Sequence, residues 1–304
     1  MNLPRLLSRI QALNRQRRIV PLKLSPHLRT LPAVRAVLFD VYGTLVDSTA
    51  KPSRDYRTHR SRRTFRRQLR STLRLAGLNA SSPRAALAIC NTWRQCLRQA
   101  RRLCGSRGID YPEVDIRRIW RQTLQLARQN GWVRQRIKAG LVARVAIAFE
   151  SLQNPVALMP GLPAALERLR QAGFRLGIVS NAQFYTPLIL QALLGKSLNR
   201  AGFDRDLCVW SYRLGRAKPS DYLLKLALQR LRQKYGLTPR QVLVIGNDWN
   251  NDLAPARRAG CRTALMVGSV RSFAGTAETA RRAPADLLLT NWSQLESIFT
   301  SSAA

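Results

Sequence analysis

Residues 33–44 read AVRAVLFDVYGT, and this stretch decides the fold. Ala33 to Val41 form a nearly continuous apolar run, which is typical of a strand that is buried on both faces of a parallel sheet. Tyr42-Gly43-Thr44 follows as a turn signal. We expect Asp40 to lie at the carboxyl end of this strand, where a buried charge is costly unless it has a partner or a function.

The chain after Pro160 alternates between strand and helix patterns. Such alternation predicts a parallel sheet with helices on both faces, which is a Rossmann-like three-layer α/β core. Strands are predicted at 174–180, 206–211, 242–246, 263–267 and 286–290, and helices at 162–172, 185–194, 219–235, 252–259 and 292–299.

The intervening segment, 48–159, carries helical periodicity, with amphipathic stretches near 56–76, 83–103, 112–129 and 133–151. We therefore divide the chain into a basic N-terminal leader (1–32), a core (33–47 and 160–304) and an inserted all-helical cap (48–159). Asp47 is interpreted as a helix cap at the entry to the insert. Glu113 and Asp115 are interpreted as acids that favour the positive end of the third cap helix's dipole.

Polar side chains stand at or near the ends of the predicted core strands, where ligands of such sheets bind. They are Asp40, Ser180, Asn181, Lys218, Asn247, Asp248 and Asp252. A carboxylate can attack an electrophile, and hydroxyl and ammonium donors bind an anionic group. Three nearby carboxylates are hard oxygen ligands that suit Mg²⁺.

Four short segments occur in a fixed order: Asp-x-x-x-Thr from Asp40 to Thr44, GIVSN around Ser180, AKPS around Lys218, and Asn-Asp-x-x-x-Asp from Asn247 to Asp252. Together they resemble the four motifs of the haloacid dehalogenase superfamily of hydrolases, over roughly residues 33 to 300. The insert lies where that superfamily places a helical cap.

The resemblance implies a Mg²⁺-dependent phosphohydrolase that acts on a small phosphorylated anion through an aspartyl-phosphate intermediate. Asp40 would be the nucleophile, and Thr44, Ser180 and Lys218 would share in catalysis. Substrate-binding residues would be Tyr42, Gly43 and Asn181, and the metal ligands would be Asp40, Asp248, Asp252 and the carbonyl of Tyr42.

Tyr42 departs from the phosphatase pattern, because the residue two positions after the nucleophile is usually a second Asp that transfers protons. A phenol has an ordinary pKa near about 10 and is a poor substitute at neutral pH. Asp-x-Tyr-Gly-Thr resembles the 2-haloacid dehalogenases instead, whose leaving halide needs no proton. Since those enzymes need no metal, the acids at Asp248 and Asp252 favour the phosphatases. A dehalogenase and a catalytically impaired phosphate- or polyanion-binding protein therefore remain as alternatives.

The composition is strongly basic, with 52 Lys and Arg against 16 Asp and Glu among 304 residues, a net charge of +36. Much of the excess lies in an Arg-rich cap stretch, Arg57 to Arg74, and in the leader, whose Leu3, Leu6, Leu7, Ile10 and Leu13 have helical spacing. We interpret the leader as solvated or loosely docked. Nonspecific adhesion to polyanions is expected, but no specific binding of nucleic acid.

Two further expectations concern location. The longest uncharged stretch, Leu176 to Gly195, is interrupted by polar residues, so no transmembrane helix is expected. The five cysteines are odd in number and form no Cys-x-x-Cys pair, which favours reduced packing residues in a cytoplasmic protein.

Overall fold

A computed structural model describes residues 3–14, 19–48, 62–105 and 108–299. The first part of the Arg-rich stretch, with Arg57, Arg60 and the cap histidine His59, lies outside the described residues.

Six parallel strands form the central sheet, in the order β5-β4-β1-β6-β7-β8. Their bounds are β1 Ala36–Phe39, β4 Arg175–Ser180, β5 Phe203–Trp210, β6 Val242–Gly246, β7 Arg262–Met266 and β8 Leu287–Leu289. A second, antiparallel pair joins β2 Val46–Asp47 to β3 Ala157–Leu158. Strand β1 lies in the middle of the large sheet and pairs with β4 and β6, so the chain just beyond it is flanked on both sides.

Apolar residues alternate between the two faces of the sheet, and each face has its own core. Phe39 and Ile245 belong to one buried cluster. Leu38 and Val244 belong to the other. The helices that accompany the sheet are α6 Leu162–Gln171, α7 Thr186–Leu194, α8 Ser211–Leu214, α9 Tyr222–Tyr235, α10 Ala254–Arg258, α11 Ala277–Arg282 and α12 Glu296–Phe299. The architecture confirms the predicted Rossmann-like α/β class.

Several predicted bounds differ from the structure. Strand β5 begins at Phe203 instead of Asp206, and the helix predicted from Pro219 begins at Tyr222. The segment predicted as one helix at 252–259 is a π-helical turn, Trp249–Leu253, that continues into α10. The pair β2 and β3 and the short helices α8 and α11 were not predicted, because strands of two residues and helices of four to six residues are too short to show a periodicity.

In the described part of the segment between β2 and β3 lie four helices: α2 Arg62–Leu75, α3 Pro83–Gly105, α4 Ile116–Gln129 and α5 Ala139–Gln153. Their core contains Trp93, Trp120 and Phe149, whose ring centroids lie 5.0–5.6 Å apart. Helix α4 begins four residues later than predicted, since Asp115 is its N-cap and accepts a hydrogen bond from the Arg117 amide. Residues 111–114 therefore precede the helix and are not part of it.

The leader contains helix α1, Leu3–Leu13, which packs against α7 of the core and α5 of the cap. Ile10 is fully buried there. Asn14 is buried too, and its side chain donates to Ser151 Oγ and accepts from the Val156 amide. The expectation of a solvated or loosely docked leader is therefore wrong for the buried face of α1. The sequence did not predict this packing, because an amphipathic pattern does not show which helices lie against the apolar face.

Among the described residues no helix is long and apolar enough to span a bilayer. None of the five cysteines, all within the described residues, forms a disulfide bond, and Cys104 is the one that is not buried.

Candidate active site

Three charged side chains meet beyond the carboxyl ends of the central strands. The ammonium of Lys218 donates to Asp40 Oδ1 at 2.7 Å and to Asp252 Oδ1 at 2.5 Å. Its third bond, at 3.0 Å, goes to the carbonyl oxygen of Val179. All three donor directions of the ammonium are thus used, and the lysine is fixed between residues that are far apart in the chain.

The charges in this cluster are strongly coupled. Burial alone lowers the pKa of Lys218, but the charges of Asp252 and Asp40 outweigh it, so that this pKa is raised and the ammonium keeps its proton. Burial raises the pKa of Asp252 to about 7, Lys218 opposes this, and the charge of Asp40 adds to it. Two carboxylates thus face one ammonium, and the site has a negative excess.

Asp252 has room to reach the cluster because the preceding strand, β6, ends in a glycine, Gly246. A Cβ on Gly246 would lie 2.4 Å from the Asp252 side chain, so a larger residue would displace the carboxylate. The second oxygen, Asp252 Oδ2, accepts from the Asp248 amide at 3.1 Å. The π-helical turn that starts here is thereby closed onto the end of β6.

Asp248, the other acid that the sequence predicts as a metal ligand, is hydrogen-bonded within its own turn. Its Oδ1 accepts from the amides of Asn250 and Asn251, and its Oδ2 accepts from the Asn251 side chain. Within the described ranges, no three acidic, histidine or cysteine side chains form a group that would hold a metal ion. The structure brings Asp40 and Asp252 together as hard oxygen donors, with Asp248 engaged at the start of the helical turn.

These donors nevertheless suit a divalent cation chemically. Carboxylates are the ligands that Mg²⁺ prefers, and the negative excess of the cluster would repel a phosphate unless a cation offset it. The residues therefore fit the ion by their charge and donor type.

Tyr42 and Thr44 continue the loop after β1. The phenol oxygen of Tyr42 lies 2.9 Å from Thr186 Oγ1, the first residue of α7. Thr44 is fully buried, and its hydroxyl donates to Asn247 Oδ1 at 3.4 Å. Gly43 has a φ of +90°, and a Cβ added to it would lie 2.1 Å from the side-chain nitrogen Nδ2 of Asn247.

Ser180 and Asn181 end the neighbouring strand. Ser180 is fully buried at the end of β4. The Asn181 side chain bonds the backbone of Lys218 twice, accepting from its amide at 2.7 Å and donating to its carbonyl at 3.1 Å. Asn181, predicted to bind substrate, thus holds the lysine loop in this arrangement.

The prediction that Asp47 caps a helix is wrong. Asp47 lies in β2, and its Oδ1 accepts the hydroxyls of Ser269 at 2.5 Å and Ser272 at 2.8 Å, which tie the loop after β7 to the entry of the cap. These partners are more than 220 residues away, so local sequence favoured a cap.

Other residues at the site were missed by the sequence analysis. Thr186 faces Tyr42, and Glu113 bonds Ser211 and Gln183 of the core instead of only flanking a helix. The single hint for Thr186 is its position before Pro187 at a helix start. Nothing in the sequence relates Glu113 to a core segment that begins almost a hundred residues later.

A family model described as haloacid dehalogenase-like hydrolase matches residues 34–260. The chain belongs to this family. The family assignment confirms the sequence-based resemblance. The matched range includes the segments that carry Asp40, Lys218 and Asp252 together with the whole insert.

Among curated proteins, this haloacid dehalogenase-like hydrolase is similar to phosphoglycolate phosphatases. It is 33% identical over 144 residues to the protein of Aquifex aeolicus, a match that covers 45% of this chain and 62% of that protein. With the protein of Aliivibrio fischeri the identity is 33% over 114 residues, covering 36% and 45%. The matches thus span less than two thirds of the length of these relatives.

Solved structures with a similar fold include a dehalogenase at 23% identity and a TM-score of 0.47, matched over 88% of this chain and 98% of that one. Another is a predicted phosphoglycolate phosphatase from Haemophilus somnus, at 17% identity and a TM-score of 0.46, with the same coverage.

Proposed function

We propose that this chain is a Mg²⁺-dependent phosphohydrolase that transfers the phosphoryl group of a small anionic substrate to Asp40 and then to water. The observation that carries the proposal is the cluster of Asp40, Lys218 and Asp252 at the carboxyl ends of β1 and β6. The similarity to phosphoglycolate phosphatases supports phosphate as the transferred group.

In the first step the Asp40 carboxylate attacks phosphorus, an O–P bond forms, and the bond from phosphorus to the leaving oxygen breaks. Lys218 orients the attacking carboxylate and offsets its charge. Water then attacks the aspartyl phosphate, which releases phosphate and restores Asp40. Thr44 and Ser180 are proposed as catalytic partners, and Gly43 as part of the substrate-binding loop.

Mg²⁺ is proposed to be held by Asp40, Asp248, Asp252 and the carbonyl oxygen of Tyr42. When bound, it supplies positive charge that offsets the carboxylates and the developing charge on the phosphoryl oxygens. The odd number of cysteines, with no Cys-x-x-Cys pair, supports a reducing, cytoplasmic location.

The phenol at position 42 defines which substrates suit this site. It leaves no carboxyl group two positions after Asp40 to protonate the leaving oxygen, so substrates with good leaving groups, such as acyl phosphates, are favoured. The same observation favours a second candidate function, a 2-haloacid dehalogenase, because a halide leaves without a proton.

One assay separates the candidates. Phosphate release from acetyl phosphate, p-nitrophenyl phosphate and phosphoglycolate is measured with Mg²⁺ and with a chelator, beside chloride release from 2-chloropropionate. Mg²⁺-dependent phosphate release is expected. Metal-independent chloride release would overturn the proposal in favour of a dehalogenase. Absence of both reactions, with binding of a phosphate analogue retained, would favour a non-catalytic binding protein.

Asp40→Asn tests the nucleophile directly. We expect kcat to fall by about 10⁴-fold or more, because the amide cannot form the covalent intermediate. Asp221→Asn is the matched control, since Asp221 is half-exposed and pairs with Lys225 at 2.7 Å. Full activity of the Asp40→Asn variant would remove the assignment.

A further inference from the structure

A cap segment, 111–114, crosses to the core and pairs with the loop that carries Lys218. The Glu113 amide donates to the Gly215 carbonyl at 3.0 Å, and the Ala217 amide donates to the Tyr111 carbonyl at 2.8 Å. Pro112 and Arg216 are thereby opposed as an antiparallel bridge. Because Ala217 directly precedes Lys218, the cap helps to position the residue that binds Asp40 and Asp252.

The Glu113 carboxyl group closes this connection. Its Oε1 accepts from the Val114 amide at 3.0 Å and from Gln183 Nε2 at 3.1 Å, and its Oε2 lies 2.9 Å from Ser211 Oγ. Gln183 follows the β4 end and Ser211 opens α8. Glu113 thus joins two core segments. One contains Gln183 and also Asn181, whose side chain bonds the backbone of Lys218; the other begins at Ser211 and leads to Lys218 itself.

The hydrogen bonds of Ser211 indicate which form of Glu113 fits. Ser211 Oγ accepts from the Ala182 amide at 2.8 Å and also lies within hydrogen-bonding distance of two acceptors, the Ala182 carbonyl at 3.1 Å and Glu113 Oε2. A hydroxyl has a single proton and cannot donate to both. If Glu113 carries a proton on Oε2 and donates it to Ser211 Oγ, every one of these contacts is a proper hydrogen bond.

The burial of the Glu113 carboxyl group favours this protonation. Burial is the largest influence and raises the pKa of Glu113. Hydrogen bonds that Ser211 and the Val114 amide donate to the ionised carboxylate lower this pKa, as does the charge of Arg101, whereas the charge of Asp115 raises it; the net change is a rise. Asp115 is itself paired with Arg117 at 2.6 Å. On the core side the direct partners, Ser211 and Gln183, are neutral, and the guanidinium groups of the adjoining loop lie over tyrosine rings, Arg213 over Tyr212 and Arg216 over Tyr222.

We propose that Glu113 is a positioning residue that docks the cap on the Lys218 loop as a neutral carboxyl group, so that docking takes up a proton and rising pH releases it. The sign follows from linkage. A carboxyl group that holds its proton more tightly in the docked than in the open state favours docking at low pH. Docking therefore weakens as the pH rises past the ordinary pKa of a glutamic acid, about 4.3, toward the raised pKa of the docked Glu113. For turnover the consequence rests on the proposed phosphohydrolase function, but the docking does not.

Hydrogen–deuterium exchange of the peptide that contains Ala217 and Lys218 tests the docking without any assay of activity. After correction for the intrinsic exchange rate, protection of the wild-type loop is measured at about pH 5 and at about pH 8, and it is expected to be lower at the higher pH, by about tenfold for each pH unit by which docking raises the pKa. Glu113→Gln, which imitates the neutral acid, is expected to keep its protection across this range. Glu113→Ala is expected to lose at least about tenfold at both pH values.

Asp110→Asn is the matched control, because Asp110 is an exposed acid just before the same segment. It should leave the pH response of the loop unchanged. A wild-type protection that does not change with pH, or a Glu113→Gln variant that follows the wild-type pH response, would overturn the proposal. Loss of docking should also lower kcat more than it raises KM; if the protein has no phosphatase activity, the exchange result still decides the docking and only the proposed function fails.

Discussion

Tyr42 and Gly43, adjacent in one loop, show how single residues decide the chemistry and the shape of the site. Tyr42 contributes a phenol where a phosphatase usually has a proton-transferring acid, and its oxygen is engaged by Thr186. Because Gly43 has no side chain, the side chain of Asn247 can lie against the loop. We therefore expect a substitution at Tyr42 to change the rate of catalysis and a substitution at Gly43 to change the stability of the fold.

Tyr42→Asp restores the missing acid and is expected to raise kcat on p-nitrophenyl phosphate by about 10²-fold, the lower end of the range for general acid–base help. Tyr42→Phe is the control, because it removes the bond to Thr186 without supplying a proton donor, and its rate should not rise. Steady-state kinetics in the presence of Mg²⁺ measures both. An unchanged rate in Tyr42→Asp would show that proton transfer does not limit turnover.

Gly43→Ala is expected to destabilise the fold by about 2–4 kcal/mol. Part of this is the cost of a Cβ at a φ of +90°, and part is the collision with the Asn247 side chain and the Ser272 carbonyl. Gly173→Ala separates the two, because Gly173 has a φ of +79° but no atom within 4 Å of an added Cβ, so that about 1 kcal/mol is expected there. Chemical denaturation gives both values; equal losses would mean that Asn247 adjusts freely.

Among the helices and strands, the sequence predicted those with a regular pattern and missed the contacts that depend on distant residues. Strands β1, β4, β6, β7 and β8 were found within a few residues, because buried parallel strands are continuous apolar runs. Asp40, Lys218 and Asp252 were found because strand ends meet at one edge of a sheet. The roles of Glu113 and Asp47 were missed, since each is explained locally by a helix end and its real partners lie about 70 to 225 residues away.

Helix α1 illustrates the same limit, and its docking is testable. Ile10 is fully buried where α1 meets α5 and α7, so Ile10→Ala is expected to lower the free energy of unfolding by about 2–4 kcal/mol. Gln11→Ala on the exposed face of the helix is the control, and its effect should stay within about 0.5 kcal/mol. Equal, small losses in thermal and denaturant unfolding would restore the interpretation of a loosely docked leader.

Over the whole molecule, the net charge of +36 is distributed unevenly with respect to the site. The cluster of Asp40, Lys218 and Asp252 has one lysine and an excess of carboxylate, whereas the surface of the insert is rich in exposed arginines, including Arg67, Arg70 and Arg74 of α2. Few cap acids offset them, because Glu150 is buried and Glu113 faces the core. The basic surface is thus separate from the chemistry of the site.

Such a surface is expected to bind nucleic acid through phosphates alone, with an affinity that falls steeply with salt and does not depend on sequence. The sequence has no recognisable nucleic-acid-binding motif beside the Arg-rich stretch, so we expect no preference for one base sequence over another. Fluorescence anisotropy with several duplex DNAs of equal length and different sequence should give Kd values within about threefold of each other at one salt concentration. Arg70→Gln combined with Arg74→Gln should reduce the slope of log Kd against log salt by about one for each phosphate that an arginine no longer neutralises, whereas Lys225→Gln on the core should not. A preference of tenfold or more for one sequence would contradict simple adhesion, because counterion release alone carries no sequence information.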